Sequence, residues 1–499
     1  MLLSRLINLA GILPDKDYPD VDISCVVCDS RRAVSGCMYI CITGERSDGH
    51  AFIPDAIKRG AVCIVCSKEY SGDIPDGVAV IRCSSTRLAM AKLYAAWYKN
   101  PQIFMKIIGV TGTNGKTSTS RMIYEILCRS GRRVGLIGTS GSLFCGAPID
   151  IRSDNELANM TTPDPEQLYR ILNTMKSCGA EYVVMEVSSH SLAYSKVAPI
   201  LYEVGVFTNL TPEHLDFHGD MESYYKAKAR LFSQCRAAVI NCDDPYGLRL
   251  ANEYRGKCLT CTARGGEAAI GAEQIRLDSH GIEYKLYHPR LRTRISCAIP
   301  GEFTVMNSLE AVVAAYELGV SAGDIKGALM GISGIEGRME RVALDKSVNF
   351  SVYIDYAHTP DALENLLRTV RGFKSGRQRT VLLFGCGGDR DRSKRSQMGR
   401  IASSLADFVI ITSDNARGEN KSDIIKEILT GVDKESQFTV IEDRECAIEY
   451  AIKNARSGDI ILLAGKGHEK YEIDGSTKRY FCERELVEKY VRRHHLGEV

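Results

Sequence analysis

A strand, a glycine-rich loop and a helix follow one another between residues 104 and 131, and this unit restricts the fold more than any other part of the chain. The run FMKIIGV at 104–110 is apolar apart from one lysine, which predicts a buried strand. The loop GTNGKT at 112–117 comes next, and the residues after it repeat apolar side chains at helical spacing up to Gly131, a suitable helix end. A strand leading through such a loop into a helix is typical of a parallel α/β sheet. The apolar helix face comprises Met122, Ile123, Ile126 and Leu127.

The loop has the chemical groups that bind a nucleoside triphosphate. Backbone N–H groups and a helix N-terminus attract anions, so we expect Lys116 to contact the β- and γ-phosphates of ATP and the Thr117 hydroxyl to bind Mg²⁺. The loop is short, because Val110 occupies the position of the first glycine in the common pattern. A glycine-rich turn before an ordinary helix is the alternative, and the strand–loop–helix context argues against it. The predicted ATP-binding residues of the loop are Gly112, Thr113, Asn114, Gly115, Lys116 and Thr117.

The remaining chain predicts an α/β protein of three domains, which suits a length of 499 residues. Residues 1–102 form a small N-terminal α/β domain that a helix closes before Asn100-Pro101. Residues 103–335 form a P-loop ATPase-like domain around a mostly parallel sheet, with an antiparallel part at 251–299. Residues 336–499 form a Rossmann-like domain, since each apolar strand there ends in a polar, glycine-rich turn where ligands bind.

Composition excludes several classes of partner. Lys and Arg number 64 against 62 Asp and Glu, so charge gives no reason to expect nucleic acid or a membrane surface as the main partner. No run of about 18 apolar residues occurs, and Leu6–Leu13 lacks the flanks of a secretory signal, so we expect a cytoplasmic protein. The 18 cysteines are expected to be reduced thiols. Three CxxC pairs raise the question of zinc, but two lie in strand-like runs, where positions three apart face opposite sides.

Two further polar stretches follow apolar strands. YVVMEV ends near Glu186 and leads into Ser188-Ser189-His190, and an acidic strand end beside a phosphate loop is where the Mg²⁺ of a nucleotide is held. A serine hydrolase is disfavoured because the G-x-S-x-G elbow is absent. Residues 207–232 concentrate His214, Asp216, His218, Asp220 and Lys228, with a solvated polar loop and helix as the alternative interpretation.

Taken together, these motifs resemble the Mur ligases, the ATP-dependent enzymes that add amino acids to the peptidoglycan precursor. The resemblance spans residues of about 30 to 470 in the expected order, and it is carried by GTNGKT, EVSSH, FTNL…HLDFHGD…YYKAK, GRMERV, DYAHTPDAL and GCGGDRD. DSRRAVSG and TTPDP resemble the ligases that extend UDP-N-acetylmuramoyl-L-Ala-D-Glu. The resemblance implies that ATP converts a carboxylate into an acyl phosphate, which the amine of an amino acid then attacks, in peptidoglycan synthesis and hence in cell-wall growth, cell shape and division.

The resemblance also implies roles for individual residues. Lys228 matches a carbamylated lysine (N6-carboxylysine) that can bind Mg²⁺ where an ammonium group could not, and Glu186 and His214 match its partners at the metal. Lys116, Glu186, His214 and Lys228 are thus the expected catalytic set, and Thr117, Glu186, His214 and Lys228 the metal set. Further ATP contacts are Asn307, Arg338 and Asp355. Contacts to the UDP-muramoyl-dipeptide are Ser30, Thr161, Thr162, Ser189, Tyr194 and Lys196.

The third domain is expected to choose the amino acid. A guanidinium group suits the second carboxylate of meso-diaminopimelate, so Arg417 favours this substrate over L-lysine, which stays the alternative acceptor. Ala416 stands where the family pattern has Pro, and Tyr194, Lys196 and Thr304 also depart from that pattern. The predicted diaminopimelate-binding residues are Arg390, Asp414, Asn415, Ala416, Arg417, Gly465 and Glu469.

Two other functions remain open at this point. A folate polyglutamate ligase would share the ATP site, but the separate N-terminal segment with DSR argues against it. A regulatory nucleotide-binding protein would not need Lys116, Glu186, Lys228 and Arg390 together. We expect the chain to act as a monomer.

Overall fold

In the computed structural model, the described residues are 1–44, 47–149, 160–266, 268–288, 292–376 and 378–496, and they form sheets of four, eleven, six and two strands in chain order. The predicted three-part α/β architecture is confirmed. Within these residues, no helix has the length and apolar character needed to cross a membrane.

The first sheet is small and parallel. Its four strands pair in sequence order, and the helix that closes the unit begins after Ser85, whose hydroxyl accepts a hydrogen bond from the Leu88 amide at 3.3 Å. The strands are β1 (Cys25–Val27), β2 (Cys37–Ile40), β3 (Cys63–Cys66) and β4 (Ala79–Arg82). The helices are α1 (Leu3–Ala10), α2 (Ile53–Lys58) and α3 (Thr86–Trp97), with 3₁₀ turns at Ser30–Arg32, Gly49–Phe52 and Pro101–Phe104.

The second sheet has eleven strands in the order β15-β14-β13-β12-β11-β10-β5-β9-β6-β7-β8. Its strands are β5 (Lys106–Thr111), β6 (Val134–Gly138), β7 (Gly141–Phe144), β8 (Ala147–Pro148), β9 (Tyr182–Glu186), β10 (Tyr202–Phe207), β11 (Cys235–Asn241), β12 (Lys257–Thr262), β13 (Ile270–Asp278), β14 (Gly281–Tyr287) and β15 (Thr293–Cys297). The helices are α4 (Lys116–Arg129), α5 (Pro165–Ser177), α6 (Ser189–Ala193), α7 (Leu215–His218), α8 (Met221–Ala229), α9 (Pro245–Glu253), α10 (Glu302–Glu317) and α11 (Ala322–Gly331), with a 3₁₀ turn at Arg230–Gln234.

The strand directions in this sheet follow the sequence prediction with one correction. β6, β9, β5, β10, β11 and β12 are parallel, and β13 to β15 form the expected antiparallel part. β12 lies in the stretch expected to be antiparallel, yet it pairs in parallel with both β11 and β13. The reason is that α9 carries the chain back across the sheet before β12, so that β12 runs in the direction of β11.

The helix that follows the phosphate loop is anchored as predicted. Met122, Ile123, Ile126 and Leu127 are all 0% exposed, and Gly131 has a φ of 80° just past the helix end. Burying four such side chains contributes on the order of 1.5–3 kcal/mol each, which fixes the start of α4 relative to the sheet.

The third sheet is parallel apart from its first strand and has the order β16-β17-β21-β18-β19-β20. Its strands are β16 (Glu340–Arg341), β17 (Ser351–Asp355), β18 (Thr380–Phe384), β19 (Phe408–Ile411), β20 (Phe438–Val440) and β21 (Ile460–Ala464); β22 (Tyr471–Asp474) and β23 (Thr477–Tyr480) form a hairpin. The helices are α12 (Pro360–Phe373), α13 (Ser393–Leu405), α14 (Lys421–Leu429), α15 (Arg444–Lys453) and α16 (Glu483–His495). Because β17, β18, β19 and β21 are parallel, their polar end loops leave the sheet at one edge.

Candidate active site

Two glycines give the phosphate loop its shape. Gly115 has a φ of +84° directly before α4, and a Cβ there would lie 2.5 Å from Oδ1 of Asn307. Gly112 has a φ of +156°, and a Cβ there would lie 1.9 Å from Oγ1 of Thr208. The loop backbone is therefore packed so closely against its neighbours that only glycine fits at these two positions.

Two lysines converge on the same loop. Lys116 Nζ donates to the backbone oxygens of Gly112 and Thr113 at 3.0 and 2.8 Å. Lys228 Nζ donates to the Gly112 oxygen at 2.7 Å, and its side chain is almost completely buried. Burial lowers the pKa of both amines, and for Lys228 the nearby Lys116 lowers it further. The structure thus brings together the two lysines that the sequence predicted to be catalytic.

Glu186 lies at the end of β9 and joins the loop helix to a neighbouring strand end. Its Oε2 accepts hydrogen bonds from the hydroxyls of Thr117 at 3.0 Å and Thr139 at 2.9 Å, and Oε1 accepts one from the Thr139 amide at 2.9 Å. Gly138 permits this approach, since a Cβ there would lie 2.2 Å from Oε1. Glu186 is 2% exposed, so it is a buried carboxylate held beside the phosphate loop.

This arrangement fits a magnesium ion bound with a nucleotide. Mg²⁺ is usually held by one or two carboxylates together with phosphate and water oxygens. Glu186 supplies one carboxylate and Thr117 one hydroxyl at the loop. Among the described residues, no group of three or more His, Cys, Asp and Glu side chains could hold a metal ion by itself. The phosphate and water oxygens would therefore have to complete the site. Lys228 would add a ligand there only as a carbamate.

The polar loop after β10 brings its histidines into a cluster with His190, although His214 and Asp216 stay exposed. The ring of His190 lies 4.8 Å from that of His214 and 5.6 Å from that of His218, and the His218 ring stacks on Tyr224 at 4.8 Å. Nε2 of His218 is 2.9 Å from the hydroxyl of Ser189. Burial lowers the pKa values of His190 and His218 to about 4, so both rings are neutral near pH 7.

The C-terminal part of the chain reaches into this site. Nη2 of Arg338 donates to the Thr117 hydroxyl at 3.2 Å, and the guanidinium lies over the Tyr356 ring at 4.7 Å. Nδ2 of Asn114 donates to Oδ2 of Asp361 at 2.8 Å. Nε of Arg338 is buried without a hydrogen-bond partner among the described residues, which suits a group that would donate to a phosphate oxygen.

Glu213 makes a further link between the two parts. Its Oε1 lies 3.8 Å from Nε2 of His214 and 3.6 Å from Nε2 of His358. Burial acts to raise its pKa, but the neighbouring imidazole of His358 and the charges of His214 and Lys116 hold that pKa well below the usual range.

The other two predicted ATP contacts come from different elements. Asn307 lies on α10 with its side chain against Gly115. Asp355 is the last residue of β17, and its carboxylate accepts hydrogen bonds from the backbone amides of Met339 and Ala357 at 2.7 and 2.8 Å. Burial raises the pKa of Asp355.

The residues predicted for the UDP-muramoyl-dipeptide fall into two groups. Thr162 and Ser189 are buried beside Glu186, and Thr161 accepts a hydrogen bond from the Thr139 hydroxyl at 3.2 Å. Lys196 forms an ion pair with Asp164 at 2.6 Å. Ser30 lies apart from these residues in the 3₁₀ turn of the N-terminal unit, where it is 9% exposed.

Two side-chain contacts join the N-terminal unit to the central unit near these groups. The Arg32 guanidinium donates to the Glu166 carboxylate at 3.1 and 3.0 Å, two residues after Ser30 in the chain. The Arg87 guanidinium lies over the Tyr194 ring at 3.9 Å.

Two of the residues predicted for the amino acid, Asp414 and Asn415, surround a buried cation that the sequence analysis missed. Lys466 is 0% exposed, and its Nζ contacts Oδ1 of Asn415 at 3.1 Å, the backbone oxygen of Tyr471 at 2.9 Å and Oδ1 of Asp414 at 3.5 Å. Although burial acts to raise it, the charge of Lys466 holds the pKa of Asp414 at about 2. Nδ2 of Asn415 donates to Oε2 of Glu469 at 2.7 Å.

Gly465 and Ala416 complete this packing. Gly465 has a φ of +114°, and a Cβ there would lie 2.8 Å from Oδ2 of Asp414. Ala416 is 0% exposed, and its backbone oxygen packs against Gly388.

The two predicted arginines differ in their surroundings. Nη1 of Arg417 donates to the backbone oxygens of Gly388 and Asn415 at 2.9 and 3.3 Å. Arg390 is exposed at the end of the glycine-rich turn after β18. Arg395, which the sequence analysis did not select, is 0% exposed and holds that turn through ion pairs to Glu419 and Glu427 at 2.8 and 2.9 Å.

Family models match the chain in three successive parts. "Mur ligase family, catalytic domain" matches residues 22–98, "Mur ligase middle domain" residues 110–315, and "Mur ligase, glutamate ligase domain" residues 337–467. The chain therefore belongs to the Mur ligase family, a family of ligases.

Relatives within this family match almost the whole chain. The UDP-N-acetylmuramoyl-L-alanyl-D-glutamate–2,6-diaminopimelate ligase of Clostridioides difficile (strain 630) is 42% identical over 491 residues, which cover 98% of this chain and 99% of that one. The ligase of the same name from Gloeobacter violaceus is 42% identical over 488 residues, with 97% of each chain covered. A solved structure of a ligase with this name has a TM-score of 0.68 at 29% identity and covers 99% of this chain and 100% of the other.

More distant structures share the fold alone. The MurF ligase of Thermotoga maritima in complex with ADP has a TM-score of 0.62 at 18% identity, covering 94% of this chain and 98% of that one. The folylpolyglutamate synthase of Mycobacterium tuberculosis has the same TM-score at 17% identity and covers 83% of this chain and 96% of its own.

Proposed function

We propose that the chain is an ATP-dependent ligase that adds meso-diaminopimelate to UDP-N-acetylmuramoyl-L-Ala-D-Glu in peptidoglycan precursor synthesis. The observation that carries the proposal is the contact of Arg338 with Thr117 at 3.2 Å. This contact joins the C-terminal domain, which carries the predicted amino-acid-binding residues, to the phosphate loop. A carboxylate activated at the phosphate loop and an amine held by the C-terminal lobe can then meet without exposure to water.

The reaction has two steps. The γ-phosphoryl group of ATP moves to the D-Glu side-chain carboxylate, which gives an acyl phosphate and releases ADP. The amine of the acceptor attacks the acyl carbon, the C–N bond forms, and phosphate leaves with the electron pair of the broken C–O bond. Because the first step joins two anions, positive charge beside them is required.

This chain supplies that charge from buried groups. Lys116 presently binds loop carbonyls that a phosphate oxygen can replace, and Arg338 has a buried, unpartnered Nε at the same place. Mg²⁺, held by Glu186 and Thr117, would neutralise further charge on the nucleotide.

Lys228 fits the role of a carbamylated lysine. Burial lowers the pKa of its amine, and an uncharged amine is the form that reacts with CO₂. The resulting carbamate is an anion and can bind a metal or orient Lys116, whereas two ammonium groups on the Gly112 oxygen repel each other. We therefore propose that Lys228 is N6-carboxylysine in the active enzyme, with His214 beside it at the metal.

The nucleotide-sugar substrate is proposed to run from Ser30 toward Glu186. Thr161, Thr162 and Ser189 lie along the second half of that path, and Lys196 and Tyr194 border it. Since all these residues come from one chain, we propose that it acts as a monomer, and the need for ATP places the reaction in the cytoplasm.

Lys116→Ala tests this function directly. We expect wild-type protein to release ADP only when UDP-N-acetylmuramoyl-L-Ala-D-Glu is present, and Lys116→Ala to lower the rate by about 10³-fold, because charge stabilisation at the transferred phosphoryl group is lost. Lys106→Ala removes an exposed lysine at the start of β5 and is the matched control. A Lys116→Ala variant as active as this control would contradict the assignment of the ATP site.

A further inference from the structure

His468 lies between the predicted amino-acid-binding residues and the phosphate-loop site, and the proposed function assigns it no role. It directly precedes Glu469 and lies two residues after Lys466, in the loop that follows β21. The ring is also close enough to the backbone of Thr139 for that backbone to raise the pKa of the imidazole. Thr139 in turn holds both oxygens of Glu186. The imidazole therefore links the amino-acid loop to the carboxylate beside the phosphate loop.

One nitrogen of this ring lacks a partner. Nδ1 of His468 is buried and has no hydrogen-bond partner among the described residues. Buried polar atoms in folded proteins are nearly always paired, so an orphan at the junction of two substrate sites points to a missing group. Burial and the charge of Arg338 lower the pKa of His468 to about 4, which leaves the ring neutral near pH 7. A neutral imidazole has one nitrogen that accepts a hydrogen bond.

The ring is also held in a fixed position. The centre of the His468 ring lies 5.1 Å from the centre of the Tyr356 ring. The Tyr356 ring is itself covered by the Arg338 guanidinium and lies 4.6 Å from the His358 ring, measured between ring centres. The His468 backbone packs closely against Gly337, since a Cβ on Gly337 would lie 2.2 Å from the backbone nitrogen of His468. A side chain restrained in this way is suited to orient a ligand.

We propose that Nδ1 of His468 accepts a hydrogen bond from the attacking amine of the acceptor amino acid and so orients its lone pair toward the acyl phosphate. The proposal rests on the ligase function above and assigns a residue to its second step only. The ammonium group of the acceptor first loses one proton to water, so the amine enters that step uncharged. Its nitrogen forms the C–N bond, the C–O bond to phosphate breaks, and the proton lost from nitrogen leaves with the phosphate. His468 therefore gains no proton and acts by orientation.

Measuring the two steps separately tests the proposal. Hydroxylamine traps an acyl phosphate as a hydroxamate and does not need the amino-acid loop. For His468→Ala we expect kcat for ligation of diaminopimelate to fall by roughly 10²-fold, the size of effect caused by a misplaced reacting group, while hydroxamate formation stays within about 3-fold of wild type. His280→Ala, which removes an exposed histidine between β13 and β14, is the control and should match wild type in both assays.

A pair of amide variants separates orientation from packing. His468→Asn keeps an oxygen acceptor near the position of Nδ1, so we expect it to recover at least 10-fold of the loss seen in His468→Ala. His468→Gln places its amide near the position of Nε2 instead, so its ligation should remain as slow as that of His468→Ala. The Asn and Gln side chains fill most of the space of the imidazole and leave a smaller cavity than alanine does. They therefore test the proposal even if His468→Ala fails to fold.

The alternative outcomes are distinct. Equal losses of ligation and hydroxamate formation in the His468 variants would make this residue structural and would overturn the proposal, as would near-normal ligation in His468→Gln. Absence of both activities in the wild-type protein would instead reject the ligase function itself.

Discussion

Lys116 and Lys228 donate hydrogen bonds to one backbone oxygen, that of Gly112, at 3.0 and 2.7 Å. Two ammonium groups so close repel each other, and burial adds to the cost of keeping both charged. The arrangement is understandable if one lysine binds phosphate and the other is converted into an anion. This relationship connects the loop that holds the nucleotide with the residue proposed to be carbamylated.

The first prediction concerns Lys228. We expect Lys228→Ala to lose most ligase activity and a short carboxylate such as acetate to restore part of it, because the added anion replaces the carbamate. Lys226→Ala is a matched control, since Lys226 lies one half-turn earlier on α8 with a side chain 68% exposed. Full activity of Lys228→Ala without acetate would show that this lysine has only a structural role.

The second prediction concerns the loop backbone. Gly115→Ala must place a Cβ at a φ of +84° and 2.5 Å from the Asn307 side chain, so we expect a loss of stability beyond the roughly 1–2 kcal/mol of left-handed strain, and weakened ATP binding. Gly131→Ala has a φ of +80° with nothing within 4 Å of its Cβ, so it should show the strain alone and bind ATP normally. Thermal unfolding and nucleotide titration would measure both, and equal behaviour of the two variants would count against the close packing.

The third prediction concerns pH. Burial and Arg338 lower the pKa of His468 to about 4, with Glu336 acting in the opposite direction and His358 and Tyr356 also close by. The unfolded chain, with an ordinary histidine pKa of 6.5, therefore binds more protons between pH 6.5 and 4, and the contribution to stability is lost as the pH falls through this window. We expect the unfolding temperature of His468→Asn to fall less steeply than that of wild type from pH 6.5 to 4. His280→Asn should follow the wild-type curve, and a His468→Asn curve parallel to it would argue that the ring titrates normally.

The fourth prediction concerns Arg417. We expect kcat/KM to favour meso-diaminopimelate over L-lysine in wild type, and Arg417→Ala to lose most of that preference, because the acceptors differ by the carboxylate that a guanidinium binds. Selectivity from a polar contact of this kind can reach roughly 10⁴-fold. Arg371→Ala, on the exposed side of α12, provides the control. If Arg417→Ala keeps the full preference, the arginine only braces its own loop through Gly388 and Asn415.

The sequence predicted those features that depend on local patterns. Apolar runs located the strands, and an acidic residue at a strand end located Glu186, because parallel strands bring their ends to one edge. Asp355 was predicted from the family resemblance alone. The glycine-rich loop could also be found from the sequence, because its backbone shape requires glycine where the chain turns into α4.

Features that depend on contacts between distant segments could not be read in this way. Asn114 and Asp361 are 247 residues apart, yet they share a hydrogen bond of 2.8 Å. The burial of Lys228 is also invisible locally, because the exposed Lys226 two residues earlier belongs to the same short polar motif. Lys466 and His468 lie between the predicted residues Gly465 and Glu469, but only the packing around them distinguishes a buried cation and a ring with one unpartnered nitrogen from surface residues.

The most direct test of the central claim is the mass of the product formed from ATP, Mg²⁺, UDP-N-acetylmuramoyl-L-Ala-D-Glu and one amino acid at a time. We predict a UDP-linked tripeptide containing diaminopimelate, formed with one ADP for each peptide bond, and a far slower reaction with L-lysine. A protein that forms no tripeptide with any amino acid, or that prefers L-lysine, would contradict the account.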